Sequence, residues 1–327
     1  MSNEKYLVTS ASGKTGYHVA RQLLDNGKNV RIMSRGKGKV IQELESLGAE
    51  AVIGDISKRE DMKNALSQVN RVYYCYPLRP DLLSSTKMFA ELAQQEKING
   101  VVNVGQYLSN LDTHPSKQTS DHKLGYKILD DANIGACHVT PGFFADNIMS
   151  TALVVSQLGS WPFPVEEGRC PVVSAKDIAR VAVSILENPI GHEGQRYQPT
   201  GPKSLSVMDI METFDRVLGR KTSKMQVSDR MFNKSIIQNG FDPYSLSQIK
   251  FYIDDYENSV FDYAPTDVVL NLTGSPAEDF EVTAKRHFEQ NGLMNKSLSG
   301  RMKAIKQFIQ ILLTKAPTQL ELTKLNQ

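Results

Sequence analysis

The sequence predicts an α/β fold, a parallel sheet doubly wound by helices on both faces, followed by a smaller and mostly helical region. Three observations lead there. Short apolar runs recur through the first half at residues 6–8, 30–33, 51–53, 72–76, 101–104 and 137–139, and each is followed by a helical pattern. The intervening helices carry their own stops: in YHVARQLLDNG, Val19, Leu23 and Leu24 share one face and Gly27 ends it. From Trp161 onward the texture changes, with a Pro-rich break at WPFP and then PVVSAKDIARVAVSIL, a strand running into an amphipathic helix with Asp177 in its first turn.

Taken in order, SSTKMFAELAQQEKING repeats the helix pattern, with Ser85 as the expected N-cap and Gly100 beyond the end. SLSVMDIMETFDRVLG and SPAEDFEVTAKRHFEQN read as two further capped helices, with short strands expected at 171–173 and 196–198. The organisation expected is a first domain at 1–155, a smaller α/β region at 156–292 interleaved with it, and an amphipathic helix and tail at 293–327. No internal repeat or low-complexity tract interrupts this pattern.

Composition narrows the function classes. A hydrophobic fraction of 40%, a charged fraction of 23% and a net charge of +2 are those of an ordinary globular protein and give no chain-wide case for nucleic-acid binding. Cys75, Cys137 and Cys170 are odd in number and well separated, and His114 and His138 show no ligand spacing, so neither a disulfide framework nor a metal site is expected. A reducing compartment follows, and the cytoplasm is the expected location. The N-terminus lacks the apolar core of a signal peptide, and no window approaches the ~20 apolar residues that cross a bilayer.

The first turn, VTSASGKTG, holds a Gly-Lys-Thr that resembles the end of a triphosphate loop. The spacing fails, because the upstream glycine of that loop would fall at Val8, inside the strand. A dinucleotide turn fits better. Thr9, Ser10, Gly13 and Gly16 align with T-G-x-x-G-x-x-G, Ser10 standing where the first glycine would be, so Ala11, Ser12, Lys14 and Thr15 complete a loop that follows the first strand and opens the first helix. A strand-turn-helix with incidental glycines is the alternative. At the end of the second strand an acidic residue would hold the ribose 2′-hydroxyl of NAD(H), but VRIMSRGKGK offers Ser34, Arg35, Lys37 and Lys39. Cationic side chains suit a 2′-phosphate, so NADP(H) is preferred over NAD(H) and Arg35 is the residue expected to read it; a solvated basic loop is the alternative.

These segments, together with GAEAVIGDISKREDM, HKLGYKILDDANIGACHVTPGFFADN, VSAKDIARVAVSIL and YQPTGPKSLSVMDIMETFDRVLGRK, resemble the NmrA-like family of atypical short-chain dehydrogenase/reductases over most of residues 5–290. The resemblance implies a Rossmann-type fold and a nicotinamide cofactor. It places Asp55 and Ile56 near the adenine, Tyr76 and Pro77 at the end of the fourth strand against the cofactor, and Val104, Gly105 and Gln106 along it. It passes Pro141, Gly142, Phe143 and Phe144 by the nicotinamide, with Phe144 and Asn147 framing the substrate. Tyr107, just after the fifth strand, is a further candidate to face that pocket. Lys123 would hold the ribose and nicotinamide, or else lie on the surface of its helix. The larger superfamily places a tyrosine acid four residues before that lysine, and Thr119 stands there. Tyr126 shares the helix face of Lys123 but has only a weak claim as the missing donor.

Two functions from different classes follow. One is a reductase passing hydride to a small conjugated acceptor, such as a quinone, enone or imine, bound between the two regions. The other is a non-catalytic NADP(H) redox sensor. A small-molecule partner is expected, direct nucleic-acid contact is not, and a homodimer is left open. In the tail, SGRMKAIKQFIQILLTK places Met302, Ile305, Phe308, Ile309 and Leu312 at helical spacing among Arg301, Lys303 and Lys306. A helix docked on its own protein or a second subunit is the first reading, and a membrane-surface helix the second.

Overall fold

The computed structural model describes residues 4–325. The first part of the chain runs β1 (Lys5–Val8), α1 (Lys14–Asp25), β2 (Asn29–Ser34), α2 (Lys39–Ser46), β3 (Glu50–Ile53), α3 (Arg59–Leu66), β4 (Arg71–Cys75), α4 (Leu82–Gln95), β5 (Val101–Val104), α5 (Lys117–Asp131) and β6 (Ala136–Val139). It continues through α6 (Ala145–Ile148), α7 (Ala152–Leu158), β7 (Ser160–Pro162), β8 (Arg169–Cys170), α8 (Ala175–Glu187), β9 (Arg196–Tyr197), β10 (Leu205–Ser206) and α9 (Val207–Leu218). The remainder is β11 (Ser223–Met225), α10 (Asp229–Gln238), α11 (Pro243–Glu257), α12 (Val268–Thr273), α13 (Phe280–Gln290), α14 (Leu298–Leu313) and α15 (Gln319–Lys324).

The chain divides into two compact units. The first comprises residues 1–142, 175–200 and 266–277. Its sheet has the order β3-β2-β1-β4-β5-β6-β9, parallel throughout, with Val8 opposite Ile32 on one side and Tyr73 on the other. A parallel sheet is covered on both faces, so its strands read as continuous apolar runs, and all four residues of β5 are buried. Leu7, Val72, Tyr74 and Val101 form one face, covered by Leu66, Phe89 and Leu129 of α3, α4 and α5, with Tyr74 stacked on Phe89 at 4.1 Å. On the other face α1 packs against α8. The strand order reverses between β1 and β4, and their carboxyl ends open the crevice where doubly wound sheets bind ligands.

Two polar residues lie inside this sheet and are satisfied there. Asn103 Nδ2 and His138 Nδ1 are 3.1 Å apart across the β5–β6 register, and His138 Nε2 reaches Asp130 Oδ1 at 2.9 Å under the Tyr126 ring. Burial lowers the His138 pKa despite the opposing pull of Asp130. Nearby, His122 lines a cavity of about 10 Å³ with Tyr74, Tyr76 and Tyr126, and burial pushes its pKa down to about 4.

The second unit comprises residues 143–174, 201–265 and 278–327. It is held by aromatic packing: Trp161 stacks on Phe163 at 4.7 Å, and Phe143 meets Tyr256 edge-on at 5.0 Å. Two small sheets, β8 with β10 antiparallel and β7 with β11 parallel, sit among its helices. Ser206 and Asp209 form a reciprocal capping box at the start of α9, and Gly219 ends that helix in the left-handed region. α14 packs against α7 and α10.

Several expectations shift on the folded chain. α4 starts earlier than expected, with Asp81 rather than Ser85 as its N-cap. Residues 171–173 do not form a strand; Val173 makes a lone bridge to Phe144 instead. The composition change placed a boundary at 155, whereas the chain divides at 142/143 and sends α8, β9 and α12 back to the first unit. Composition follows neighbours in sequence, and β9 belongs where it does because it pairs with β6. No helix of the described residues is long and apolar enough to cross a membrane.

The two histidines give a testable pH dependence. Burial holds both below the ordinary histidine value of about 6.5, so the unfolded chain takes up protons that the folded chain refuses as pH falls below that point. Stability is therefore complete above about pH 6.5 and falls as the pH is lowered towards 4. Calorimetry near pH 7 and near pH 5 should show a lower thermal midpoint at the acidic value, and His122→Asn should reduce the difference. An unchanged midpoint would contradict it.

Candidate functional site

The turn after β1 is built by close contacts. Thr9 is buried, and its hydroxyl donates to the Tyr73 carbonyl at 3.1 Å and accepts from the Cys75 N–H at 2.9 Å, tying the end of β1 to β4. Ser10 has φ of +49°, in the left-handed region, and its hydroxyl donates to the Cys75 carbonyl at 2.8 Å. The Gly13 N–H closes the turn on the Ser10 carbonyl at 2.8 Å, and the Ala11 N–H reaches the Met33 carbonyl of β2 at 3.2 Å. A Cβ at Gly16 would lie 2.4 Å from the Ser10 carbonyl oxygen, so only glycine lets α1 approach the turn this closely. Thr15 is buried and accepts a 2.6 Å bond from the Tyr73 hydroxyl, fixing the first turn of α1 over β4.

The start of α1 is open to solvent. Ser12, Gly13 and Lys14 are exposed. The N-cap Gly13 has no side-chain capping bond, and the first turn of α1 carries no acid. A helix N-terminus left without side-chain caps offers backbone N–H groups and a positive dipole end to an anion. At the end of β2, Ser34 Oγ lies 3.5 Å from Ser12 Oγ, which sets the following residue beside the loop. That residue, Arg35, is exposed and forms no ion pair among the described residues, whereas Lys37 pairs with Glu45 at 2.9 Å.

The other sheet ends carry the remaining candidates. Burial acts to raise the Asp55 pKa, but bonds from the Ser57 N–H and hydroxyl and from Arg79 hold its carboxyl below the usual range. Arg79, which the sequence reading missed, bridges Asp55 at 2.9 Å and Asp81 at 2.8 Å. The only signal for it was its place in PLRPD, just after β4. Ile56 is buried in the core, Tyr76 bonds Ser85 Oγ at 2.8 Å, and Pro77 is half-buried. Val104 is buried at the end of β5; Gly105 follows, and a Cβ there would strike the Tyr126 hydroxyl at 1.7 Å.

The proton donors are already engaged. The Tyr126 hydroxyl is buried between Ser109 Oγ at 2.6 Å and the Gln106 N–H at 3.2 Å, so it acts as a strut. Thr119 Oγ1 is buried and accepts from Gln106 Nε2 at 2.9 Å. Lys123 is exposed, and its ammonium donates to the Leu111 and Asp112 carbonyls at 3.0 and 2.9 Å, where it braces the segment before α5. The Tyr107 N–H donates to the Pro141 carbonyl at 2.9 Å, and Pro141 and Gly142 are buried at the end of the first unit. Phe143, Phe144 and Asn147 belong to the second unit. There the Phe143 ring is packed into the aromatic core, Phe144 is half-buried and Asn147 is exposed. Among the described residues no group of His, Cys, Asp and Glu could hold a metal ion.

The family model described as the NmrA-like family matches residues 2–264. The chain belongs to the NmrA-like family. An NAD(P)H azoreductase from Xenophilus azovorans is 28% identical over 290 residues, covering 86% of this chain and 97% of that protein. An NADPH-dependent quinone oxidoreductase from Escherichia coli, solved with NADPH, superposes with a TM-score of 0.71 at 16% identity, covering 87% of this chain and 99% of that one. NmrA, a negative transcriptional regulator solved in complex with NADP, superposes at 0.72 and 16% identity over 89% of this chain and 99% of its own. The last two likenesses establish the fold of this NmrA-like chain and nothing finer.

Two substitutions test the loop. Gly16→Ala should destabilise the first unit by about 1–3 kcal/mol, since its Cβ meets backbone. Ser10→Gly removes left-handed strain and one hydrogen bond, opposing effects of about 1 kcal/mol each, and should leave stability nearly unchanged. Denaturant titration of both variants would contradict this geometry if Gly16→Ala proved the milder change.

Proposed function

We propose that this NmrA-like protein is an NADP(H)-dependent oxidoreductase that reduces a small conjugated acceptor, a quinone, enone, imine or azo compound. The observation that carries the reading is the turn itself. A left-handed Ser10, a Gly16 with no room for a side chain and the uncapped start of α1 suit a pyrophosphate, and Arg35 stands beside them without an ion pair among the described residues. In this reading the N–H groups at the start of α1 hold the pyrophosphate, Arg35 pairs with the 2′-phosphate, and Tyr76, Val104 and Gly105 line the path of the cofactor. The bound cofactor supplies the hydride.

The acceptor class is read from two engaged hydroxyls. Thr119 holds Gln106, and Tyr126 is sealed against Ser109, so neither delivers a proton to a bound substrate. A conjugated acceptor leaves a stabilised anion that water can protonate, and a dedicated acid is then dispensable. The activities named for the azoreductase and the quinone oxidoreductase support that class.

The same engaged hydroxyls favour a second reading, an NADP(H) sensor that transfers nothing, with the NmrA regulator as the precedent for its fold. Following NADPH absorbance against quinones, enones, imines and azo dyes separates the two. Turnover of at least one acceptor class is expected; tight NADPH binding with no acceptor reduced would leave the sensor. For the phosphate contact, Arg35→Asp should weaken NADPH at least about tenfold while changing NADH little, because a charge-assisted bond to phosphate is lost. Equal losses for the two cofactors would remove Arg35 from that role.

A further inference from the structure

α14 is docked by one face only. Ala304 is fully buried on the side that meets α7 and α10, while Leu298, Met302, Ile305, Ile309, Leu312 and Leu313 are each between 49% and 79% exposed. At 3.6 residues per turn these six positions fall in one stripe roughly 100° wide, pointing away from the docked face. The expectation that the apolar residues of this helix would dock it is therefore met by Ala304 and the half-buried Phe308 and Ile311, and not by the stripe.

The charge around the stripe has one sign. Between Glu289 and Glu321 the sequence has no acidic residue and five basic ones, Lys296, Arg301, Lys303, Lys306 and Lys315, in a chain whose net charge is only +2. Arg301 and Lys306 flank the two edges of the stripe, and with Lys303 they make no ion pair among the described residues. Lys303 and Lys306 also line an open cleft of about 540 Å³ beside the helix, with Gln307, Gln310, Gln238 and Asn239. Apolar side chains in a row, with cations and amide donors along one edge, match an amphiphile whose acyl part meets the stripe and whose anionic headgroup meets the cleft.

A second copy of the chain fits this face less well. The helix has 16 residues, so the stripe is ~24 Å long and ~10 Å wide and would bury on the order of 500 Å² in a pair, well under the ~1,200 Å² of a stable interface. A two-fold pairing would also bring basic edge against basic edge, with no carboxylate on either helix to offset it.

We propose that the exposed face of α14 binds the surface of an anionic lipid bilayer, Leu298, Met302, Ile305, Ile309, Leu312 and Leu313 entering the headgroup boundary and Lys303 and Lys306 pairing with lipid phosphate or carboxylate. The proposal does not depend on which acceptor is reduced, or on whether one is. Flotation of the full chain with phosphatidylcholine vesicles, with and without phosphatidylserine, tests it. The protein should float with the anionic vesicles and about tenfold less with the neutral ones. Lys303→Ala with Lys306→Ala should reduce anionic binding at least about tenfold, from the attraction each basic residue gains at such a surface. Ile305→Asp with Ile309→Asp, at positions 51% and 50% exposed, should abolish flotation while the variant keeps a cooperative thermal transition. No flotation on anionic vesicles, or variants that float like the parent chain, would overturn the proposal. So would a dimer in sedimentation that Ile305→Asp with Ile309→Asp dissociates without any vesicle binding, which would assign the face to a second copy.

Discussion

The contact between Gly16 and the Ser10 carbonyl sets the geometry on which the first unit's site depends. With no Cβ in the way, α1 starts directly over the turn, and its first N–H groups are delivered to the crevice where β1 and β4 diverge. Thr9, Ser10 and Thr15 then anchor that arrangement to β4 through the Cys75 backbone, the Tyr73 carbonyl and the Tyr73 hydroxyl. The serine at the left-handed position is compensated locally: its hydroxyl gains a carbonyl acceptor that a glycine could not use. Strain of about 1–2 kcal/mol in the backbone is thereby offset within the same residue.

A second constraint concerns where polar side chains at the strand ends are spent. Asp55, Arg79 and Asp81 form one charged chain beyond β3 and β4, while Gln106, Ser109, Thr119 and Tyr126 form a neutral one beyond β5. Both chains rigidify the loops that border the crevice. The neutral chain also engages the Ser109, Thr119 and Tyr126 hydroxyls with protein partners. Exposed Arg35 is the contrast, a cation beside the turn with no ion pair among the described residues.

Much of the first unit was legible because a parallel sheet writes its strands as apolar runs. The expected strand at 101–104 coincides with β5, and the other five central strands differ by at most one or two residues at an end. The turn was legible through its glycines, although only the folded chain shows that Ser10 takes the left-handed conformation. Other features depend on partners distant in sequence. Arg79 has no motif of its own, and its meaning comes from Asp55, 24 residues away. Lys123 and Tyr126 share a helix face as expected, yet the carbonyls of Leu111 and Asp112 and the hydroxyl of Ser109 decide what they do. Phe143 lies in a motif that resembles a cofactor-lining segment, but Tyr256 and Phe261 draw its ring into an aromatic core. In the second unit α10 and α11 went unread; the buried positions of α11 include Ser245, Ser247 and Gln248, so its burial does not follow apolar periodicity.

On the proposed function, the turn after β1 and the residue after β2 together read an adenosine 2′-phosphate. Calorimetric titration with 2′,5′-ADP and with 5′-ADP isolates that half of the cofactor from any chemistry at the nicotinamide. 2′,5′-ADP should bind at least about tenfold more tightly, the margin expected of a charge-assisted phosphate contact. Equal affinities, or no binding of either nucleotide, would contradict it.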